Sequence, residues 1–202
     1  MYSVEMSEVV ESLPLIQKRR LLGYAIPIIN VPIILLNLYS VYEKLQQGLS
    51  WKTFDFAADA ILIIVIFGVT VLLPNWVPVY QSTYTMNNSG LVLTRFLRRP
   101  RTVPYKSIPR VEAYIREKGE VSKEAEEYTR KNAAELRHTG FKFVDYTNDE
   151  ANIVLLFTGR EIIMISPAKP KALLKSLKQR APKLKAKIVE LSARGKTIQE
   201  LE

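Results

Sequence analysis

The chain has 202 residues, a hydrophobic content of 48% that is ordinary for a soluble protein, and a formal net charge of +9. It contains no cysteine, which excludes disulfide bonds, thiolate metal sites and cysteine nucleophiles. The charge is uneven: residues 80–202 hold 24 of the 29 Lys+Arg and 14 of the 20 Asp+Glu, a net +10. This excess indicates an anionic neighbour, for which lipid headgroups, nucleic acid and an acidic protein are the alternatives.

The first segment, residues 1–20, places acidic side chains before basic ones. Glu5, Glu8 and Glu11 come first, and the Lys-Arg-Arg cluster at 18–20 directly precedes an apolar stretch. A secretory signal has its positive charges first, so we expect an uncleaved anchor rather than a signal peptide. The spacing of the apolar residues predicts a short amphipathic helix that lies at a membrane interface.

Two long apolar stretches follow and predict a transmembrane helical hairpin over residues 21–79. Neither Leu21–Tyr42 nor Ala60–Val79 contains Asp, Glu, Lys or Arg. A helix of about 20 residues is about 30 Å long, which matches the hydrocarbon thickness of a bilayer.

Three polar side chains accompany these stretches. Asn30 and Asn37 lie on one helix face, and we expect them to hydrogen-bond to the neighbouring span or to backbone freed by prolines. Asp59 lies one turn inside the second helix, where an interfacial or capping group and a functional ionisable group are the alternatives. The sequence does not decide whether any of the three has a role inside the membrane.

The basic residues near the spans predict the orientation. Cations flank the outer ends of the hairpin, at 18–20 and from 95 to 110, whereas the connecting turn contains only Lys44 and Lys52. The positive-inside rule therefore predicts a two-span protein of the cell membrane with both termini in the cytoplasm.

From Tyr80 the hydrophobic period changes to two, which is typical of strands. A highly charged stretch at 117–138 predicts an exposed helical insertion, and 168–180 has the period of an amphipathic helix. The predicted strands are 81–86, 91–97, 102–108, 110–116, 141–146, 153–157 and 161–165.

Seven short strands followed by a helix are the elements of a pleckstrin-homology (PH) barrel. The stretches that carry the likeness are Tyr80–Tyr84, the hairpin NNSGLVL, the segment TVPYKSIPRVEAYI and the ending GREIIMISPAKPKALLKSL. Over about residues 20–180 the chain resembles bacterial-type PH domain membrane proteins, in which two spans precede a PH-like domain. The resemblance implies an α+β PH-like barrel at 80–181, with seven short antiparallel strands closed by a C-terminal helix. The insertion at 117–138 departs from the compact form of that family.

No pattern of catalytic or metal-binding residues stands out, so we predict a non-enzymatic protein without a metal or cofactor. His138 is the only histidine, at a helix-to-strand junction where a solvated side chain is common. Asp145, Asp149 and Glu150 could bind a cation loosely, but acidic residues in a turn are ordinary.

Two basic runs are the candidate binding residues. The second run extends from Lys169 to Lys187 without an acid. The first run is predicted to bind the anionic lipid surface, and the alternative is an ordinary solvated face. Its members are Arg95, Arg98, Arg99, Arg101, Lys106 and Arg110.

The resulting functional hypothesis is a membrane-anchored module that engages anionic lipid, protein partners or both. The alternative is an accessory structural subunit, a scaffold within a larger membrane complex, with no lipid-binding role. Nucleic acid is not expected, because few aromatic residues interleave the cations. PH domains that recognise inositol phosphates typically use cations around the first hairpin, and the turn at 87–90 has none, which argues against that specificity.

The last segment, 182–202, is predicted to be a helical arm. Leu184, Ile188 and Leu191 have the spacing of one helix side. Because a short isolated helix is marginal in water, the arm would dock on the barrel, a partner or a second copy, or fray. Pairing with the acidic residues of the insertion at 124–127 would give a salt-sensitive homodimer.

Overall fold

The structure is a computed structural model that describes residues 7–48, 53–76, 78–117 and 120–201. It divides into two units, Ile16–Tyr80 and the combination of Met1–Leu15 with Gln81–Glu202. Small parts of the predicted N-terminal segment, connecting turn, helical insertion and C-terminal arm lie outside the described residues.

The helical unit contains two helices that pack against each other, α1 (Gln17–Gln46) and α2 (Phe54–Trp76). Their most apolar windows have mean hydropathies of 2.0 and 2.3, and only 11% and 0% of those windows is buried. Both helices are therefore long and apolar enough to cross a bilayer, and their apolar surfaces are not covered as those of a soluble core helix would be.

The two asparagines of α1 are hydrogen-bonded. Asn30 Nδ2 donates to Thr70 Oγ1 on α2 at 2.8 Å, whereas Asn37 Nδ2 donates to the Ile33 carbonyl of its own helix at 2.8 Å. The expected contact with the neighbouring span is thus confirmed for Asn30.

Asp59 is an ion-paired group near the start of α2. Its carboxylate accepts hydrogen bonds from Ser40 Oγ at 2.7 Å and Lys44 Nζ at 2.8 Å, both from α1. These contacts join the two helices near the connecting turn and satisfy the carboxylate within the helical unit.

The second unit begins with a four-stranded antiparallel sheet in the order β1-β2-β3-β4. The β2–β3 turn forms because Asn87 Oδ1 accepts hydrogen bonds from the backbone N–H groups of Ser89 and Gly90, at 3.0 and 2.8 Å. This is the local conformation that asparagine favours in turns. The strands are β1 (Glu8–Val10), β2 (Ser82–Met86), β3 (Gly90–Arg95) and β4 (Arg98–Pro104).

A second sheet has six strands in the order β10-β9-β5-β7-β8-β6. The pairs β5–β9 and β6–β8 are parallel and the others are antiparallel. Its strands and the two helices of this unit are β5 (Arg110–Arg116), α3 (Lys123–His138), β6 (Lys142–Tyr146), β7 (Asn152–Phe157), β8 (Glu161–Ile165), α4 (Pro170–Arg180), β9 (Lys185–Ser192) and β10 (Gly195–Leu201).

Each face of the six-stranded sheet carries a buried cluster, although the edge strand β10 is mostly exposed. The larger cluster joins this sheet to the four-stranded sheet and to α4 through side chains such as Leu93, Val111 and Leu174. The smaller cluster lies on the other face, where Ala125 of α3 is fully buried beside Leu155. Successive residues of a strand face opposite sides of the sheet. A sheet that is covered on both faces therefore needs apolar residues at both even and odd positions of its strands.

The predicted strands between residues 81 and 165 are confirmed to within four residues at their ends, and the helix at 168–180 to within two. The predicted helix of the insertion is confirmed too, but it begins at Lys123, six residues later than expected. The insertion is not a fully exposed helix, because its apolar side packs on the sheet. The prediction of seven antiparallel strands in a closed barrel is wrong. The described residues form ten strands in two open sheets, and two of the strand pairs are parallel.

The N-terminal prediction also needs correction, because part of residues 1–20 is strand rather than amphipathic helix. β1 pairs with β2, and Leu13 N donates to Ser166 O at 3.0 Å. Val10 packs against the larger core, while Val9 is 77% exposed. Val9 and Val10 therefore lie on opposite sides of a short strand.

The predicted helical arm at 182–202 is wrong as well. This segment forms the hairpin β9–β10, and β9 lies between β10 and β5 inside the sheet. Leu184 and Ile188 belong to the larger core, whereas Leu191 belongs to the opposite cluster. The three residues share no single face, because the side-chain period here is two.

Candidate functional site

The β3–β4 hairpin displays an apolar tip between arginines. Arg95 and Arg98 are paired across the strands, so Phe96 and Leu97 form a two-residue turn. Leu97 has a φ of 61°, in the left-handed region that non-glycine residues seldom adopt. Phe96 is 66% exposed and Leu97 46% exposed. The tip thus presents two large apolar side chains that are partly exposed.

The predicted lipid-binding cations differ in their surroundings. Arg99 and Lys106 are exposed, and Arg98 is half-buried. Arg101 forms an ion pair with Glu161 from β8. Arg110 is paired with Glu112 and lies 4.8 Å from the centre of the Phe157 ring. The acids that pair with Arg101 and Arg110 neutralise part of the run.

Arg95 is buried, with 5% of its surface exposed. It follows Leu91 and Leu93 in the inward-facing row of β3, opposite Ser82, and its Nε donates to Ser82 Oγ at 2.9 Å. Its Nη2 is buried and has no hydrogen-bond partner among the described residues. A charged donor left in this state costs on the order of 1–3 kcal/mol or more. Arg95 is therefore not the surface cation that the sequence predicted.

Arg95 and Arg98 share one aromatic ring. Their guanidinium carbons lie 5.1 and 4.6 Å from the ring centre of Tyr146, which is 1% exposed and ends β6. Each contact of this kind contributes about 0.5–2 kcal/mol. Both cations therefore contact the same ring, although their charges repel.

Burial lowers the pKa of Arg95, and the nearby Asp145 carboxylate partly opposes this effect. Arginine nevertheless stays protonated at neutral pH. The end of the core therefore retains a positive charge.

A hydrogen-bonded network fixes the base of the hairpin. The Asn148 side chain accepts from Ser82 N at 2.7 Å and donates to Ser82 O at 2.8 Å, and it also donates to Leu13 O at 3.0 Å. Tyr84 Oη donates to Tyr146 O at 2.6 Å and accepts from Ser166 N at 3.1 Å. These groups have their partners, and Arg95 Nη2 beside them does not.

Three of the eight cations in the second basic run contact acids of their own unit. Lys169 lies 3.0 Å from Glu11 and Arg180 lies 2.8 Å from Glu8, while Lys171 is paired with Glu190. The folded chain therefore neutralises part of a run that has no acid within it in the sequence.

A cavity of about 390 Å³ lies between α3 and the six-stranded sheet, with Leu136 and Leu155 in its wall. Tyr114 Oη in the same wall donates to Glu112 Oε2 at 2.9 Å and accepts from Asn132 Nδ2 at 2.7 Å. Burial and the Glu112 carboxylate raise the pKa of Tyr114, so the hydroxyl stays protonated. The Tyr114 hydroxyl and the Asn132 amide in the wall of the cavity are thus already hydrogen-bonded to each other.

The remaining candidate residues have ordinary surroundings. Asp145 Oδ1 accepts from Thr147 N and Asp149 Oδ1 from Ala151 N, each at 2.7 Å, which are contacts that stabilise turns. His138 ends α3 and is exposed.

The sequence analysis missed the apolar tip and the role of Tyr146. The Phe-Leu dipeptide between two arginines was a usable signal, because a strand turn normally contains polar residues. Nothing local indicated Tyr146, since it lies far from the hairpin along the chain.

Comparison of the chain with protein-family models, with curated proteins and with solved structures finds no match.

Proposed function

We propose that this chain is a membrane-anchored, non-catalytic binding module whose β3–β4 hairpin binds the anionic surface of the cytoplasmic leaflet. The observation that carries the proposal is the exposed Phe96–Leu97 tip, which is flanked by Arg98 and Arg99. Two helices long and apolar enough to span a bilayer support the anchoring.

The tip combines the two interactions that hold a protein segment at a membrane interface. Burying one large apolar side chain contributes about 1.5–3 kcal/mol. Each arginine near an anionic surface adds about 1 kcal/mol, less at high salt. The hairpin needs no high affinity, because only residues 77–81 separate α2 from β2 and this short tether keeps the unit beside the bilayer.

An environment-sensitive fluorophore on the tip tests the proposal. The chain has no native cysteine, so Phe96→Cys gives one labelling site in the full-length protein. We expect a blue shift of its emission in nanodiscs that contain phosphatidylglycerol, relative to discs of phosphatidylcholine alone, and a reversal in high salt. The matched control is Ala193→Cys in the exposed β9–β10 turn, which should not respond.

The alternative, an accessory subunit of a membrane complex, is favoured by a different feature. β10 is an edge strand of the six-stranded sheet and most of its residues are exposed, so another chain could pair with it. Fluorescence at residue 96 that is independent of lipid charge would remove the lipid proposal and leave this one.

A further inference from the structure

We infer that Arg95 and Arg98, stacked on Tyr146, form a binding site for one phosphate group, supplied by the headgroup of an anionic lipid. The choice of a lipid as the source rests on the proposed function, whereas the phosphate chemistry rests on the geometry of the two arginines. The site lies directly beside the exposed Phe96–Leu97 turn.

The first argument is the unsatisfied hydrogen-bonding capacity of the site. Arg95 Nη2 is buried without a partner, although the neighbouring Ser82 and Asn148 are fully engaged. Native proteins rarely leave a buried charged donor unpaired unless it has a role.

The second argument is electrostatic. Two guanidinium groups lie within about 5 Å of one ring centre, and neither forms an ion pair with a described residue. The nearest acidic influence is Asp145, whose Oδ1 instead accepts hydrogen bonds from Thr147 N and Oγ1 at 2.7 Å. An anion that contacts both arginines would offset their repulsion and give Nη2 a hydrogen-bond partner.

The arrangement suits a phosphate better than a carboxylate. A carboxylate has two oxygens in one plane and matches a single guanidinium fork, whereas a phosphate has acceptor oxygens in several directions and can bond to two forks. Arg98 is the more exposed of the two and would meet an arriving phosphate first, whereas contact with the buried Nη2 requires a rearrangement of side chains.

A purely structural role for Arg95 predicts a different effect of its replacement on stability. If it only packed the core and held Ser82, replacement by methionine would destabilise the unit. If it is kept for binding, Arg95→Met removes an unsatisfied buried charge, and thermal stability without ligand should stay equal or rise. Stability and phosphate binding should therefore respond in opposite directions.

The test uses the full-length protein in an uncharged maltoside detergent, which contains no phosphate. Inorganic phosphate is titrated against chloride at equal ionic strength while the Tm is measured. We expect a rise of about 2–4 °C for the unmodified protein, from the stabilisation that a bound ligand confers. Arg95→Met should lose this rise. Arg98→Gln, a milder change at a half-buried position, should weaken phosphate binding at least ten-fold.

The matched control is Arg194→Gln, which removes an exposed arginine from the β9–β10 turn and should respond as the unmodified protein does. General stabilisation by phosphate acts on all variants alike, so a rise of the same size in Arg95→Met overturns the proposal. So does the absence of any rise in the unmodified protein.

A second arm identifies the source of the phosphate. In mixed micelles with phosphatidylglycerol, the headgroup should occupy the site, and added inorganic phosphate should raise the Tm no further. An undiminished rise there keeps the phosphate site and makes a free phosphate ester its ligand. The fluorophore at residue 96 reports lipid contact independently, so a failure of the proposed function is distinguishable from a failure of this site.

Discussion

Arg95 occupies a strand position whose neighbours in the same row are leucines, so it places a charge at the edge of an apolar core. Its guanidinium carbon lies 5.1 Å from the ring centre of Tyr146 and its Nε is bonded to Ser82. The ring and the hydroxyl compensate only part of the cost of burying the charge. Positions that cost stability in this way are frequent at binding sites.

Residue 90 has to be a glycine, because the backbone of β4 leaves no space for a side chain there. A Cβ at this position would lie 2.3 Å from Val103 O and 2.9 Å from Pro104 Cα, both backbone atoms of β4. We expect Gly90→Ala to push β3 and β4 apart and to lower the free energy of unfolding by about 3 kcal/mol. Chemical denaturation of the full-length protein in detergent, followed by tyrosine fluorescence, measures this change.

Gly159→Ala is the matched control, because a Cβ there meets no atom within 4 Å. Its effect should stay within about 0.5 kcal/mol. Equal effects of the two substitutions would show that the close approach of β4 does not limit residue 90.

At the scale of elements, the C-terminal hairpin is part of the core rather than an appendage. Ile188 is 2% exposed, and β9 is bonded to β10 on one side and to β5 on the other. β10, by contrast, is an edge strand with mostly exposed side chains. The two strands therefore differ in what their loss would cost.

Two truncations test this difference. Removing residues 183–202 deletes an inner strand and several core side chains, so we expect the β-sheet unit to lose its cooperative thermal transition. Removing residues 195–202 deletes only the edge strand, and a cooperative transition should remain at a lower Tm. Circular dichroism melts of both proteins in detergent provide the measurement. A fully cooperative transition after the longer deletion would contradict the position of β9.

At the scale of the whole molecule, the distribution of cations predicts the orientation in the membrane. The first turn of α1, at 18–20, and the residues after α2 are basic, whereas the connecting turn contributes two lysines. The ion pair of Lys44 with Asp59 reduces the charge of that turn further. The positive-inside rule then predicts that the turn is outside and that the β-sheet unit is cytoplasmic.

Single cysteines test this topology, since the native chain has none. Gln47→Cys, in the turn after α1, should react with a membrane-impermeant maleimide in intact cells. Ala193→Cys should react only after lysis, and protease added outside should leave residues 80–202 whole. Labelling of residue 193 in intact cells would reverse the orientation.

The sequence alone determined the elements whose signal is local. Continuous apolar stretches indicated α1 and α2, because length and hydropathy decide whether a helix can span a bilayer. Alternating residues and turn motifs indicated the strands from Ser82–Met86 to Glu161–Ile165. The basic character of the β3–β4 hairpin was also visible, since charge is a property of composition.

Only the tertiary structure decided which segments pair and which charges are neutralised. β1 and β9 are strands because β2 and β5 offer them edges, a non-local condition that overrides the helical spacing of Leu184, Ile188 and Leu191. Arg101 meets Glu161, and Arg95 and Arg98 meet Tyr146, across separations of about fifty residues or more. Such contacts depend on how the sheets pack against one another, which no local sequence pattern encodes. As a result, a basic run that looks uniform in the sequence contains one buried cation, two that are paired with acids, and others that are exposed or half-buried.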